Sequence, residues 1–568
     1  MSKKLLALLL AALMTCSVFA GCSTTKEVII SDDPDTTTAD DGADPDDNPD
    51  NPDADGDGDN NGDDGDNNSA GNKKTKKSKT PKTKKTAAGK TTKTRGNDRK
   101  GTETMKFTPV ADKGANYSVK GTVKIAVDTV RPTDFQAMFD VMEDLYPNVT
   151  IKLDKWTHTS NDDGREYLIR TMKTGTTADI MWDEAGEMPR YIKEGWVRPI
   201  TKYVNADPEA SNLPANLKAD YTYGGALYAV PHQATFELTA VNTTLYEKLG
   251  GKASDLEKYR NHPWSWEQYC ALLDLGAEGF AKKLCVGTEE LFETGNRYAW
   301  YVTSNSSKKY SGLGFNMDTY KYEDNIFQDG FKEFRRLRVK TQGIEGWYSE
   351  QQGLLKSQLG YSSSYSGLWK AGKALVEDTL TVYVDKWNNL SFKYVTMPTP
   401  SKNGNLMMHI DQCFITSNCA DANMDAAFQL LRFMSYSTNG NLARLAMYDP
   451  ENAKLYNLNS HVYYPTTNSK AVANKFNGLK VVNATDKYLF ANIKNSRRYD
   501  AFKIVADIRD NRDTAKISPA QNAITDGKDT SASGLNEPIS KFNQLSVQSQ
   551  KDLLAAVEKH KKAHPSWY

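Results

Sequence analysis

Two adjoining blocks of opposite charge constrain this chain most: residues 32–68 hold sixteen Asp and no Lys or Arg, and residues 73–100 hold thirteen Lys and Arg against one Asp. The residues between the charges are mostly Asn, Gly, Thr, Ser and Pro. Neither block can bury enough apolar surface to offset the entropy lost on ordering. Residues 22–116 are therefore expected to form a disordered tether, acidic and then basic, and folding is left to the residues beyond it. Asp53, Asp55, Asp57 and Gly58 match the opening of a D-x-D-x-D-G calcium loop, but Asp64 stands at the twelfth position and no amphipathic helix flanks it. That composition favours solvated spacer over a metal site. Although the 568 residues balance at 72 basic and 72 acidic, the part after the tether carries only about +2, which excludes a basic body that grips nucleic acid.

Residues 1–21 read as an export signal, with Lys3 and Lys4, an apolar run over 5–14, and small residues ending at Ala20-Gly21. The run is too short to span a bilayer, and no later segment is apolar enough to do so. Phe19-Ala20-Gly21-Cys22 resembles a bacterial lipobox with Phe where Leu is usual, so Cys22 is expected to be acylated and to become the first mature residue. The lipid would then be the only membrane anchor, on the outer face of the cytoplasmic membrane.

Beyond the tether the pattern changes. "VKGTVKIAV" (119–127) alternates into an apolar run as a buried strand does, 134–145 has helical spacing closed by Pro147, "VTIKLDKW" is a second strand, 163–173 a second helix and "ADIMW" (178–182) a third strand. Strands alternating with helices predict an α/β fold with a mainly parallel sheet covered on both faces. Ligands of such sheets gather at the carboxyl ends of the strands, where Trp182, Asp183 and Glu184 stand.

The order of segments from about 122 to 472 resembles the extracellular solute-binding proteins of family 1, the maltodextrin and oligosaccharide type that feeds ABC importers. The likeness is carried by "TTADIMWDEAGEMPRYIKEGWVRPI", "YGGALYAVPHQATFELTAVNTTLYEKLG", "PWSWEQY", "GLWKAGKALVEDTLTVYV" and "FKYVTMPTPSKNG…HIDQCFITSNCADANMDAAFQLLRFM". The resemblance implies a two-lobed periplasmic-binding-protein-like (type II) fold with discontinuous lobes and a hinge. The N-terminal lobe would comprise 117–235 plus 394–445, and the C-terminal lobe 236–393 plus 446–568. Crossings would fall near 231–237, 393–400 and 440–450. It further implies capture of a carbohydrate, an oligosaccharide first, by a monomer that delivers it to ABC permease subunits, with no cofactor, metal or nucleic acid.

Sugar rings present an apolar C–H face to Trp or Tyr while their hydroxyls need fixed polar partners. On that chemistry the expected ligand-binding residues are Trp182, Asp183 and Glu184; His232 and Gln233 at the first crossing; Asn296, Arg297 and Trp300 on one helix, where three-residue spacing puts Arg297 beside Trp300; Trp347 and Trp369; Glu377 and Asp378; and Asp411. Trp264 and Trp266 bracket a helix start at Ser265 and are read as packing. Cys270, Cys285, Cys413 and Cys419 form no C-x-x-C motif, and free buried thiols are the default expectation, with a Cys270–Cys285 bridge across a helix and the next strand left open. No G-x-S-x-G, H-E-x-x-H or G-x-G-x-x-G is present, so no enzymatic activity is expected. The alternatives are a cell-surface glycoside hydrolase using paired carboxylates, and a tethered adhesin that binds carbohydrate or cell wall.

Overall fold

The computed structural model describes residues 105–128, 132–156, 164–183, 187–289, 294–306, 309–340, 352–360, 367–387, 389–456, 463–499 and 504–568. The export signal, Cys22, the tether through residue 104, Glu184 and Trp347 lie outside these residues.

The chain opens as its pattern predicts. Strand β1 (Gly121–Asp128), helix α1 (Pro132–Leu145), strand β2 (Val149–Trp156), helix α2 (Gly164–Thr174) and strand β3 (Ile180–Asp183) alternate, and β2 and β3 pair in parallel on either side of β1. All four β3 residues are buried, which suits a strand covered on both faces. Helix α3 (Met188–Lys193) follows. The chain then enters β4 (Ala229–Asn242), a strand of 14 residues.

Next come α4 (Trp266–Ala281), β5 (Val286–Thr288), α5 (Thr294–Thr303), α6 (Ile326–Lys340), β6 (Ala374–Leu380), β7 (Tyr394–Pro398) and β8 (Met408–Ile415). Helix α4 begins at a capping box in which Ser265 and Gln268 satisfy each other's backbone N–H, with Trp264 and Trp266 buried on either side. Helices α7 (Met424–Met434) and α8 (Thr438–Ala446), strand β9 (Tyr464–Pro465) and, last, α9 (Asn536–Ala563) complete the parts that matter here.

Strand order explains the architecture. One sheet runs β2-β1-β3-β8-β4-β6-β5, with β7 and β9 also on β4. Residues 229–236 of β4 pair antiparallel with β8, whereas 237–242 pair with β6 and β7. The strand thus passes from one half-sheet to the other between Phe236 and Glu237, and each half carries helices of its own lobe. The second lobe has a separate apolar core that includes Leu245, Trp264, Trp266, Tyr269, Phe334, Leu337 and Met397. Proline is tolerated inside β4 because the register shifts at Asp411/Gln412: Gln233 faces Asp411 and Pro231 faces Gln412, leaving His232 as the extra, bulged residue.

Three placements differ from expectation. Residues 105–116, assigned by composition to the tether, pack on the first lobe: Arg432 is fully buried and binds Asp112, Asp207 and Glu209, with the nearest Asp112 contact at 2.8 Å. Asn439 bonds both the N–H and the carbonyl of Val110, Asn452 does the same for Lys106, and the Asn116 N–H donates to Gln429. Residues 440–450, expected as a third crossing, fall largely in α8, which packs against α1, α7 and the helix Lys470–Gly478. The terminal helix α9, expected in the second lobe, packs into the larger core that also holds β1 and β3, and none of its residues joins the separate core of Leu245 and Trp264. Asn543 exchanges two hydrogen bonds with the backbone of Tyr322, while Val557 and His560 lie against Gly224 and Gly195 and Tyr568 bonds Tyr228 at 2.7 Å.

Candidate binding site

At the carboxyl ends of the parallel strands three aromatic rings stack. Trp156 closes β2, Trp182 lies one residue from the end of β3, and their rings meet across β1 with centroids 6.1 Å apart and planes 25° apart. Tyr167 of α2 covers the other face of Trp156 at 6.4 Å. Trp182 has 0% of its surface exposed. The expected open plate for a sugar is therefore a packed ring, because a strand buried on both faces leaves its side chains no free side. Asp183, equally buried, accepts from Tyr191 Oη at 3.2 Å and Gln412 Nε2 at 3.3 Å.

His232 and Gln233 on the first half of β4 form one buried network with Asp411, which faces them from β8. His232 Nδ1 lies 2.7 Å from the Met434 carbonyl, Gln233 Nε2 donates to Asp411 at 2.6 Å, and Arg444 donates to Gln233 Oε1 at 2.9 Å while its guanidinium sits over the Tyr463 ring. These residues rigidify the strand that both lobes share.

A second polar group assembles where β4 changes half-sheets. Arg297 of α5 reaches Glu237 at 2.8 Å and Asp378 of β6 at 3.5 Å. Asp378 also accepts from Tyr269 at 2.5 Å and Thr239 at 2.7 Å, and His409 of β8 lies 3.1 Å from Glu237. Side chains from the two half-sheets are therefore joined through one guanidinium, Arg297 bridging the Glu237 and Asp378 carboxylates while His409 reaches Glu237 from β8. Burial alone would push the Glu237 carboxyl up, but Arg297 and His409 outweigh it and hold it below the usual carboxylate range. His409 keeps 25% of its side chain exposed, with the Tyr499 ring edge-on 5.4 Å away, so it is the member open to a ligand.

Trp300 stands one turn beyond Arg297 on α5, as the sequence spacing predicts. It is buried, belongs to none of the described apolar clusters, and its Nε1 has no hydrogen-bond partner among the described residues. Asn296, half-buried, precedes Arg297 on the same helix. Trp369, by contrast, packs among Trp387, Phe392 and Tyr394 with centroids 5.1, 5.1 and 6.2 Å away. Glu377 pairs with Ala240 in the sheet, next to Asp378. Sequence reasoning missed Trp156, Glu237, His409, Arg444 and Tyr499. Of these only Trp156 carried a readable signal, a tryptophan closing a predicted strand.

The four described cysteines are free and buried, and burial pushes the Cys270 thiol up to about 11 and that of Cys285 to about 12, which keeps them protonated and unreactive. Among the described residues no group of three or more His, Cys, Asp or Glu is placed to hold a metal, and no helix is long and apolar enough to cross a membrane.

Two lobes sharing a crossing strand, with a polar cluster at the crossing, define a hinged binding protein of the two-lobed periplasmic type. The sequence profile of the bacterial extracellular solute-binding proteins matches residues 137–450, more than half of the chain, and the chain belongs to that family, whose members bind solutes outside the cell. No curated protein matches it by sequence. Solved structures resemble it in fold. An ABC substrate-binding protein from Listeria monocytogenes in complex with cycloalternan is 14% identical, with a TM-score of 0.52 over 75% of this chain and 99% of that one. Maltose-bound MalE3 of T. maritima is 14% identical, with a TM-score of 0.51 over 75% and 99%. A cyclic alpha-maltosyl-1,6-maltose binding protein from Arthrobacter globiformis is 14% identical, with a TM-score of 0.51 over 78% and 100%.

Proposed function

We propose that this protein captures a carbohydrate, an oligosaccharide first, between its lobes and hands it chemically unchanged to the permease of an ABC importer. The observation that carries the reading is the convergence of Arg297, Glu237, Asp378 and His409 at the crossing of β4, with Trp300 one turn from Arg297. Charged donors and acceptors fixed by one another are suited to reading hydroxyls, and the adjacent indole, only 1% exposed in this structure, would supply a face for a sugar ring once hinge opening uncovers it. Asn296 and Glu377 lie on the same elements as the cluster and complete the proposed lining, while Asp183, fully buried on β3, supports it from the neighbouring strand. His232, Gln233 and Asp411 serve it indirectly, by stiffening the shared strand. The saccharide-bound relatives of the same fold support the ligand class. The chain works as a monomer, and acylation at Cys22 with the charged tether holds it to the outer face of the cytoplasmic membrane. Nothing among the described residues favours a glycoside hydrolase or an adhesin.

A thermal-shift screen of the full chain against linear and cyclic oligosaccharides tests this, since a ligand at a hundredfold its dissociation constant stabilises by about 2.7 kcal/mol. For a saccharide so found, Trp300→Ala is expected to cost about 1–3 kcal/mol of affinity. Affinity equal to that of the wild type would remove Trp300 from the site.

A further inference from the structure

A cavity of about 230 Å³ lies where the first lobe, the segment before α6 and the terminal helix meet, and it is walled by Asp220, Thr222, Tyr223, Tyr320, Arg497 and Gln550 among others. None of these residues belongs to the cluster at the β4 crossing. Pockets for drug-sized ligands run to about 300–1,000 Å³, so this one suits a smaller guest. Its charges cancel, because Asp220 and Arg497 face each other at 3.9 Å, which disfavours an ionic guest. The remaining polar wall groups are a carboxamide, a hydroxyl and phenols, of which the Thr222 and Tyr223 hydroxyls already donate to the Lys218 and Ile504 carbonyls and are left to accept from a guest. Two tyrosine rings, with Met317 and Leu554, supply apolar faces.

Two further observations mark the cavity as more than a packing gap. Gln550 is only 8% exposed, yet its Oε1 has no hydrogen-bond partner among the described residues, an arrangement that costs stability unless a guest supplies a donor. Tyr320 holds a left-handed φ of 58°, a strained conformation for a bulky residue and one that keeps its ring at this wall.

We infer that this cavity is a second binding site, for a neutral polyhydroxylated solute the size of a single sugar ring or a linear polyol. The guest would turn the Gln550 carboxamide, whose Oε1 is closed off as it stands, toward the cavity to accept from a hydroxyl, straddle the Asp220–Arg497 pair with others, and lay its C–H face on a tyrosine. Because the walls come from residues 219–224 and 317–320 and from Arg497 and Ile504 as well as from α9, occupancy would hold the terminal helix docked against those segments.

Hydrogen exchange of the full chain, titrated with glucose, sorbitol and myo-inositol, tests the proposal. One of these probes should slow exchange over residues 546–554 in a saturable way. Gln550→Leu, which keeps the volume and buries no unpaired group, should weaken that effect at least tenfold while the melting temperature is held or raised. Asp220→Asn should weaken it as well. Arg297→Ala, which disables the cluster at the crossing, should leave it unchanged. Protection that survives Gln550→Leu, or no protection by any of the three probes, overturns the second site. Protection lost in Arg297→Ala but kept in Gln550→Leu also overturns it, and leaves the reading of the crossing site standing.

Discussion

Trp182 and Trp300 each bury almost their whole surface, but their surroundings differ. Trp182 fills a stack with Trp156 and Tyr167, and Trp182→Ala is expected to destabilise the fold by about 3–5 kcal/mol in chemical denaturation, with Trp182→Phe costing less. A denaturation curve for Trp182→Ala that overlays the wild type would contradict a packing role. The sequence showed a tryptophan near a strand end, and that much was right. It could not show the covering ring, because Trp156 reaches Trp182 only through the strand order β2-β1-β3, which is a property of the sheet and not of either segment. Glu237 gives a pH test. Its folded-state pKa is depressed below the ordinary value of about 4.3, so its stabilisation is complete above that pH and is lost as pH falls through the lower folded value. Stability measured from about pH 6 down to about pH 2.5 should decline below about pH 4, and Glu237→Gln should flatten that decline.

Among the elements, β4 sets the hinge. Its sequence "AVPHQATFELTAVN" was legible as a crossing near 231–237, but its full length and its change of partners at Glu237 were not. A proline inside a strand argues against a central position unless a bulge accommodates it, and the bulge depends on β8, nearly two hundred residues away in sequence. Helix α4 was legible because its cap is local: Ser265 and Gln268 are three residues apart. Helix α8 was misread as a crossing, although Ser437 caps it through the Gly440 N–H. A Cβ on Gly440 would collide with the Phe433 carbonyl oxygen, a backbone atom that cannot give way. Gly440→Ala is therefore expected to cost at least about 1–3 kcal/mol in thermal or chemical denaturation. Wild-type stability in that variant would mean that α7 and α8 do not approach so closely.

At the scale of the molecule, the two-lobed plan followed from the order of segments, while the ends of the folded part did not. Residues 105–116 look like tether by composition, yet Asp112 meets Arg432, a partner no local pattern discloses. The last hundred residues carry little family pattern, and α9 proves to pack into the larger core along its length, with Phe542 beside Phe315 and Val557 beside Gly224. Its middle, with Ser546, Ser549 and Gln550 facing inward, reads as an ordinary amphipathic helix until the cavity beside it is seen. Capture of a saccharide without conversion is decided by calorimetric titration of the full chain with a saccharide that raises its melting temperature. Heat should saturate and return to baseline after each injection, and Arg297→Ala should weaken the binding. No saturable heat, or heat that continues with time as the saccharide is turned over, would contradict capture without chemistry.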